Sequence, residues 1–268
     1  MLGRRSDKER QEVMFQNIYP IFQKKYVLKK EMLENLRDYP RMLFALEYQK
    51  YSDGILCGCG LEASTARLAV QPGILIHRGI PYFLQEPFEI SCEAQGRLAY
   101  LKVCFTDREA GTGHEEYRGR ICLDEQAPDP EREMELGRFK LQHGARLRTD
   151  YVDFADYVTE FDTADRIHVP YASPGHPVIW PQLLKRFAAE MLGTGTQDTL
   201  DCAFCMGCMQ QKENVPYDAV KTYLNVKQDK DREYTSEESY HALQRILEEA
   251  KGTRRKHTAE KDNKLLMI

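Results

Sequence analysis

Three cysteines stand at successive three-residue steps in Cys202-Ala203-Phe204-Cys205-Met206-Gly207-Cys208. Thiolates are soft donors that suit zinc and iron–sulfur clusters, so this run is where the chain could hold a metal. A closed site needs a fourth donor. Cys57, Cys59, His168, His176 and His241 are the candidates, and no second C-x-x-C stands at a zinc-ribbon spacing. The other reading is a helix with cysteines at i, i+3 and i+6, two of them packing inward beside Phe204 and Met209. We expect the helix, structural thiols and no cofactor. Cys92, Cys104 and Cys122 fall singly in strand-like segments and are expected to be small buried hydrophobes.

Carboxylates gather at Asp150, Asp153, Asp156, Glu160 and Asp162, expected within one helix and its end. Paired carboxylates can transfer protons or hold Mg²⁺, whereas a solvated acidic helix face has the same pattern. Cys57-Gly58-Cys59-Gly60 echoes a dinucleotide loop, but such a loop opens a helix, and here more strand follows. The chain has no G-x-x-x-x-G-K-[ST], G-x-S-x-G or H-E-x-x-H. A P-loop nucleotidase is excluded on those grounds. Trp180, between Pro177 and Pro181, is expected to anchor a helix start. The basic run Arg254-Arg255-Lys256-His257 could touch nucleic acid or an acidic partner, or be a solvated tail.

These residues must be carried by elements of three kinds. In residues 1–50, Leu28, Met32 and Leu36 recur one turn apart, the mark of an amphipathic helix. Tyr39-Pro40 is expected to break it, with a second short helix carrying Leu43, Phe44 and Tyr48. Before it, Phe15, Ile18, Tyr19, Ile21, Phe22 and Tyr26 surround Pro20 without a clean period. We expect an extended arm whose apolar load seeks a partner.

Residues 51–145 alternate with period two, as in Ala99, Leu101, Val103 and Phe105, with a slip at Gly137 that a β-bulge would explain. About seven short strands with tight turns predict an antiparallel sandwich or small barrel. Residues 146–251 are expected to be helical, with one helix from Pro181 to Gly193 and another opened by a Thr235/Glu238 capping box. Residues 252–268 are expected to form a basic flexible tail. The fold class is α+β.

The 268 residues carry a formal net charge of -4, so no global field is present to hold a polyanion. Hydrophobic residues make up 42%, enough for a core. The longest apolar runs are too short to span a bilayer. The basic start lacks an apolar stretch of the secretory kind, so the expected location is the cytoplasm, with thiols reduced.

Leu28–Arg41 followed by Tyr51-Ser52-Asp53-Gly54-Ile55 resembles a group of uncharacterised prophage proteins of Gram-positive bacteria. The likeness continues through Val70–Ile74, Phe139–Tyr151 and Val169–Ala172 into the helix after Pro181, covering residues 13–192. Some members carry the label "DNA and RNA helicase", whose nucleotide-binding motifs this sequence lacks. Asp53–Leu84 also looks like the β-modules of phage tail and baseplate proteins, with a D-G-[IV]-x-x-G strand and a V-x-P-G-[IV] hairpin. The resemblance implies a structural, non-enzymatic part of a phage tail or tail-like particle, at the baseplate or fibre attachment. It implies other tail proteins and symmetric copies of itself as partners. The rivals are a metal- or nucleic-acid-binding accessory protein using Cys202, Cys205, Cys208 and the basic tail, and an enzyme built on Asp150–Asp162.

Overall fold

The computed structural model describes residues 20–25, 27–93, 96–107, 109–111, 114–158, 162–212 and 214–265. The chain divides into two compact units, Met1–Gln49 and Lys50–Ile268.

In the first unit one helix, α1 (Lys30–Tyr48), runs straight through Pro40, where the sequence predicts two helices and a bend. Proline inside a helix removes one hydrogen bond and costs about 3 kcal/mol. The flanking Leu, Arg, Met, Ala and Glu residues are strong helix formers, and Lys30 pairs with Glu34 one turn on at 3.1 Å. Those local preferences outweigh the break.

The described residues of the second unit begin with eleven strands: β1 (Gly54–Gly58), β2 (Leu61–Ser64), β3 (Arg67–Val70), β4 (Gly73–His77), β5 (Ile80–Leu84), β6 (Phe88–Ser91), β7 (Leu98–Phe105), β8 (Glu109–Gly111), β9 (His114–Glu116), β10 (Gly119–Asp124) and β11 (Glu133–Lys140). Antiparallel strands therefore follow the N-terminal helix and precede the C-terminal ones, as the α+β reading expects. They are divided into three small sheets, ordered β1-β4-β5, β2-β3-β6 and β10-β7-β11, with β8 and β9 as a separate hairpin. The β4–β5 turn is Arg78-Gly79, with φ of 52° and 73°. Two left-handed residues match the twist of the flanking strands. The β11 register against β7 shifts between Glu135 and Gly137, the bulge that the sequence slip predicts.

The helices are α2 (Pro181–Gly193), α3 (Thr199–Gln210), α4 (Tyr217–Gln228) and α5 (Ser236–Leu265). At α5 the Thr235 Oγ1 accepts from the Glu238 N–H at 3.2 Å, and Glu238 Oε2 accepts from the Thr235 N–H at 2.9 Å. This is the capping box expected from the sequence. The α5 backbone does not stop at Gly252 but continues to Leu265, where a loose tail was expected. One glycine costs only about 1 kcal/mol in a helix, and the following Arg, Lys, Ala and Glu residues favour it.

One hydrophobic core joins strands to helices: Ile55, Leu68, Leu101 and Leu136 belong to the same buried cluster as Phe154, Phe187, Tyr223 and Tyr240. Phe154 stacks on Tyr240 at 5.0 Å, and the Tyr240 hydroxyl donates to the Phe154 carbonyl at 2.9 Å.

Candidate functional site

The cysteine run lies on α3, whose first turn is capped by Asp198: its Oδ1 accepts from the Leu200 N–H at 2.8 Å and the Asp201 N–H at 3.1 Å. A helix turns 100° per residue, so cysteines three apart share a face and cysteines six apart do not. Cys205 and Cys208 are buried accordingly, and burial pushes each thiol up to about 12. Cys202 is half-buried and lies 3.7 Å from the Thr196 carbonyl. Phe204 stacks on Tyr223 of α4 at 4.0 Å, while Met209 is half-exposed. The donors considered as a fourth ligand are occupied or scattered. His168 faces Asp165 at 3.9 Å, His176 lies against the Tyr217 ring, and His241 is near Glu237 on α5. Cys59 is buried and Cys57 exposed at the end of β1. Among the described residues, no three His, Cys, Asp or Glu side chains converge as a metal-donor set.

The acidic run forms only a single 3-10 turn, Ala155–Val158, in place of the expected helix. Asp153 Oδ1 accepts from the N–H groups of Ala155 and Asp156, tightening the chain into that turn. Two of these carboxylates pair with Arg148, which sequence spacing did not point to. Its guanidinium forks onto Asp156 at 2.6 and 2.8 Å and reaches Asp162 at 3.2 Å. Asp156 first, then Asp162, raises the Arg148 pKa. Asp156 and Asp162 are thus held with Arg148 in an ion-pair network. Glu160 and Phe161 lie outside the described residues.

A different feature emerges on the β-sheets. An open cleft of about 920 Å³ is lined by Phe83, Phe88, Val103, Tyr117, Ile121 and Leu136. Phe83 and Phe88 remain 60% and 41% exposed, unusual for side chains of that size. A second hollow of about 470 Å³ shares Tyr82, Phe105 and Tyr117 with it and is walled by His77, Arg78, Glu131 and Arg132. His77 stacks on Phe105 at 4.0 Å, and its Nδ1 lies 3.1 Å from Asp53. The same aspartate accepts from the Arg78 N–H at 2.7 Å, so Asp53 fixes the turn that forms this wall. The cleft thus has an aromatic floor, and the hollow beside it a charged rim. The cleft is assembled from strands far apart in sequence, which is why residue spacing did not reveal it.

On the central strand β7 itself, Lys102 is only 2% exposed. Its ammonium contacts Glu133 at 2.9 Å, Asp124 at 3.1 Å and the Gln126 carbonyl at 3.1 Å. Burial opposes the charge, but those carboxylates hold the Lys102 pKa above its ordinary value. Cys104 and Cys122 touch at 3.0 Å, and burial, with Cys122 and Glu133, pushes the Cys104 thiol up to about 12.

Glycines shape the strand junction. Gly54, at φ 146°, packs so closely that a Cβ would lie 2.6 Å from the Ala172 amide nitrogen. That approach lets the Ile55 N–H donate to the Pro170 carbonyl and the Ala172 N–H donate to the Ile55 carbonyl, both at 2.9 Å. Asn214 adds bonds to the Ile55 and Ala172 carbonyls at 2.9 and 2.7 Å. Gly58, at φ 68°, would place a Cβ 2.6 Å from the Gly73 Cα. Gly58, between Cys57 and Cys59, thus serves strand packing.

Of the arm residues singled out from sequence, Ile21 and Phe22 are exposed by 58% and 54%. Phe15, Ile18, Tyr19 and Tyr26 lie outside the described residues. No residue of α1 is buried.

No protein-family model matches the chain, and no curated protein matches it. Among solved structures, the crystal structure of TssK aligns with 85% of this chain and 69% of its own, at 9% identity and a TM-score of 0.40. The chain itself is of the α+β class, with an N-terminal helix, then antiparallel sheets, then C-terminal helices. No helix among the described residues is long and apolar enough to cross a membrane.

Proposed function

We propose that this chain is a structural component of a phage tail or tail-like particle, at the baseplate or where fibres attach. The observation that carries the reading is apolar surface held on ordered elements. Leu33, Leu36, Met42, Leu43 and Leu46 of α1 are at least half exposed, and Phe83 and Phe88 stand open on the β-sheets. Exposed patches of that kind mark surfaces that other proteins cover. The resemblance of Leu28–Arg41, Asp53–Ile55 and Val70–Ile74 to prophage and baseplate-type proteins supplies the setting. The partners are other tail or baseplate proteins and further copies of this chain, and the protein is cytoplasmic until it is assembled. No catalytic step is assigned to it.

The test is incorporation. Particles purified from cells producing the tagged chain with its neighbouring genes should contain it in fixed ratio to the other tail proteins. Deleting residues 1–27 should leave the thermal transition of the protein in place and remove it from particles. Particles that never contain the full-length chain would refute the proposal.

A further inference from the structure

All but one of the charged residues of α1 lie on one side. Written as a heptad, Met32, Leu36, Tyr39, Leu43 and Leu46 fall at alternating spacings of four and three, the a and d positions. Leu33 and Met42 flank this stripe at e and g. Lys30, Glu31, Glu34, Arg37, Asp38 and Arg41 all fall at b, c and f, the outer face. Glu47 is the one charged residue of α1 beside the stripe. The outer charges also pair among themselves, Lys30 with Glu34 at 3.1 Å and Arg37 with Asp38 at 2.6 Å. Leu36, Leu43 and Leu46 are exposed by 50%, 68% and 59%.

We infer that α1 is a self-association seam, its Met32-Leu36-Tyr39-Leu43-Leu46 stripe packing against the same stripe of another copy of this chain. A spacing of 3.5 residues is complementary to itself: two such helices supercoil so that each stripe keeps facing the other. The area agrees. A half-exposed side chain of Leu or Met size has on the order of 100 Å² left to bury. Leu33, Leu36, Met42, Leu43 and Leu46 on each of two copies give about 1,000 Å², the floor for a biological interface and the size of a weak, concentration-dependent one. The seam is under three heptads long, so the contact is concentration-dependent, with dissociation in the micromolar range (~10⁻⁶ M). This inference stands on the helix alone. A tail protein could lack the seam, and a protein unrelated to tails could have it.

Sedimentation velocity of the full chain over about 1–100 µM should show a monomer converting to one closed species, a dimer or trimer. Leu36→Glu with Leu43→Glu should stay monomeric throughout. Glutamate matches leucine in helix propensity, so the helix itself is retained. The milder Leu36→Ala with Leu43→Ala should weaken association at least about tenfold. Arg41→Glu, on the outer face, should associate like the parent chain. Near-ultraviolet dichroism from Trp180, in the other unit, checks that every variant is folded. A parent chain that is monomeric at all concentrations overturns the inference. So does a mass that grows without a plateau, or a glutamate pair that still associates. None of these outcomes touches particle incorporation, which tests the tail reading separately.

Discussion

Replacing Lys102 by Met keeps the volume of the side chain and removes its charge. In the parent structure that charge is shared among Glu133, Asp124 and the Gln126 carbonyl, while the lysine is 2% exposed. Removing one partner of a buried ion pair costs about 3–5 kcal/mol, chiefly because the other charge is left unpaired. Here the carboxylates reach some water, with Asp124 43% and Glu133 21% exposed, which lowers the cost. We therefore expect a loss of about 2–3 kcal/mol at pH 7, read by urea unfolding, and a fall in Tm of roughly 5–10 °C. Lys102→Met combined with Glu133→Gln should recover part of the loss, since the stranded carboxylate is gone.

The pH dependence is a stricter check. Burial works against the Glu133 carboxylate, but the Asp129 N–H and Lys102 hold its pKa below the ordinary 4.5. A lowered acid contributes stability that is present above 4.5 and lost as pH falls through the folded value. Lys102 is held above the ordinary 10.5, so its contribution is present below that pH and lost as pH rises through the folded value. In Lys102→Met the burial of Glu133 is no longer offset by the cation, so protonation relieves the variant. The gap between parent and variant should narrow as pH falls from neutral towards 4. A variant within about 0.5 kcal/mol of the parent at pH 7, the range of ordinary surface changes, would falsify the reasoning. So would a gap that widens in acid.

Three further outcomes are expected. Gly58→Ala should cost on the order of 3 kcal/mol or prevent folding, because its Cβ would meet Gly73 at 2.6 Å, whereas Gly79→Ala, at positive φ but with open space around it, should cost about 1 kcal/mol. Thermal melts of the pair separate steric contact from backbone strain; equal losses would contradict the packing argument. Asn214→Ala should lose about 1–2 kcal/mol and speed hydrogen exchange at the Ile55 and Ala172 amides, and unchanged exchange there would mean that the side chain does not secure the junction. Replacing Cys202, Cys205 and Cys208 together by Ala should leave a folded protein weakened by a few kcal/mol. Elemental analysis should find no stoichiometric metal in the parent, and zinc or iron that vanishes in the variant would reverse the reading of α3.

Much of the fold was legible in sequence where one local rule acts alone. Period-two alternation marked β7 and β11, the slipped phase marked the bulge, and the Thr235/Glu238 spacing marked the start of α5. The sequence was less informative where two rules compete. At Pro40 a strong breaker meets strong helix formers, and the helix continues. At Asp153 a side chain bonds the backbone and reduces an apparently amphipathic helix to one turn. Helix α4 was missed, although Tyr217, Val220 and Leu224 form a buried stripe, because Pro216 and polar neighbours obscure so short a run. Lys102 was invisible for a different reason. Alternation puts it opposite Leu101 and Val103, on the face expected to meet water, and only Asp124 and Glu133 on neighbouring strands make its burial possible.

The residues behind the sequence resemblance do a specific kind of physical job. Asp53 fixes the β4–β5 turn, Gly54 lets β1 approach Pro170–Ala172, and Gly58 and Gly73 pass within contact of one another. Each acts on the backbone and offers no nucleophile, donor set or phosphate cradle. Two segments quoted for the resemblance, Asp53–Ile55 and Val169–Ala172, meet through the Ile55 backbone bonds. What such a pattern specifies is a rigid backbone at the strand junction. On the function proposed above, contact with a partner falls to exposed apolar side chains. In this chain those are the aromatic cleft around Phe83 and Phe88 and the apolar seam of α1.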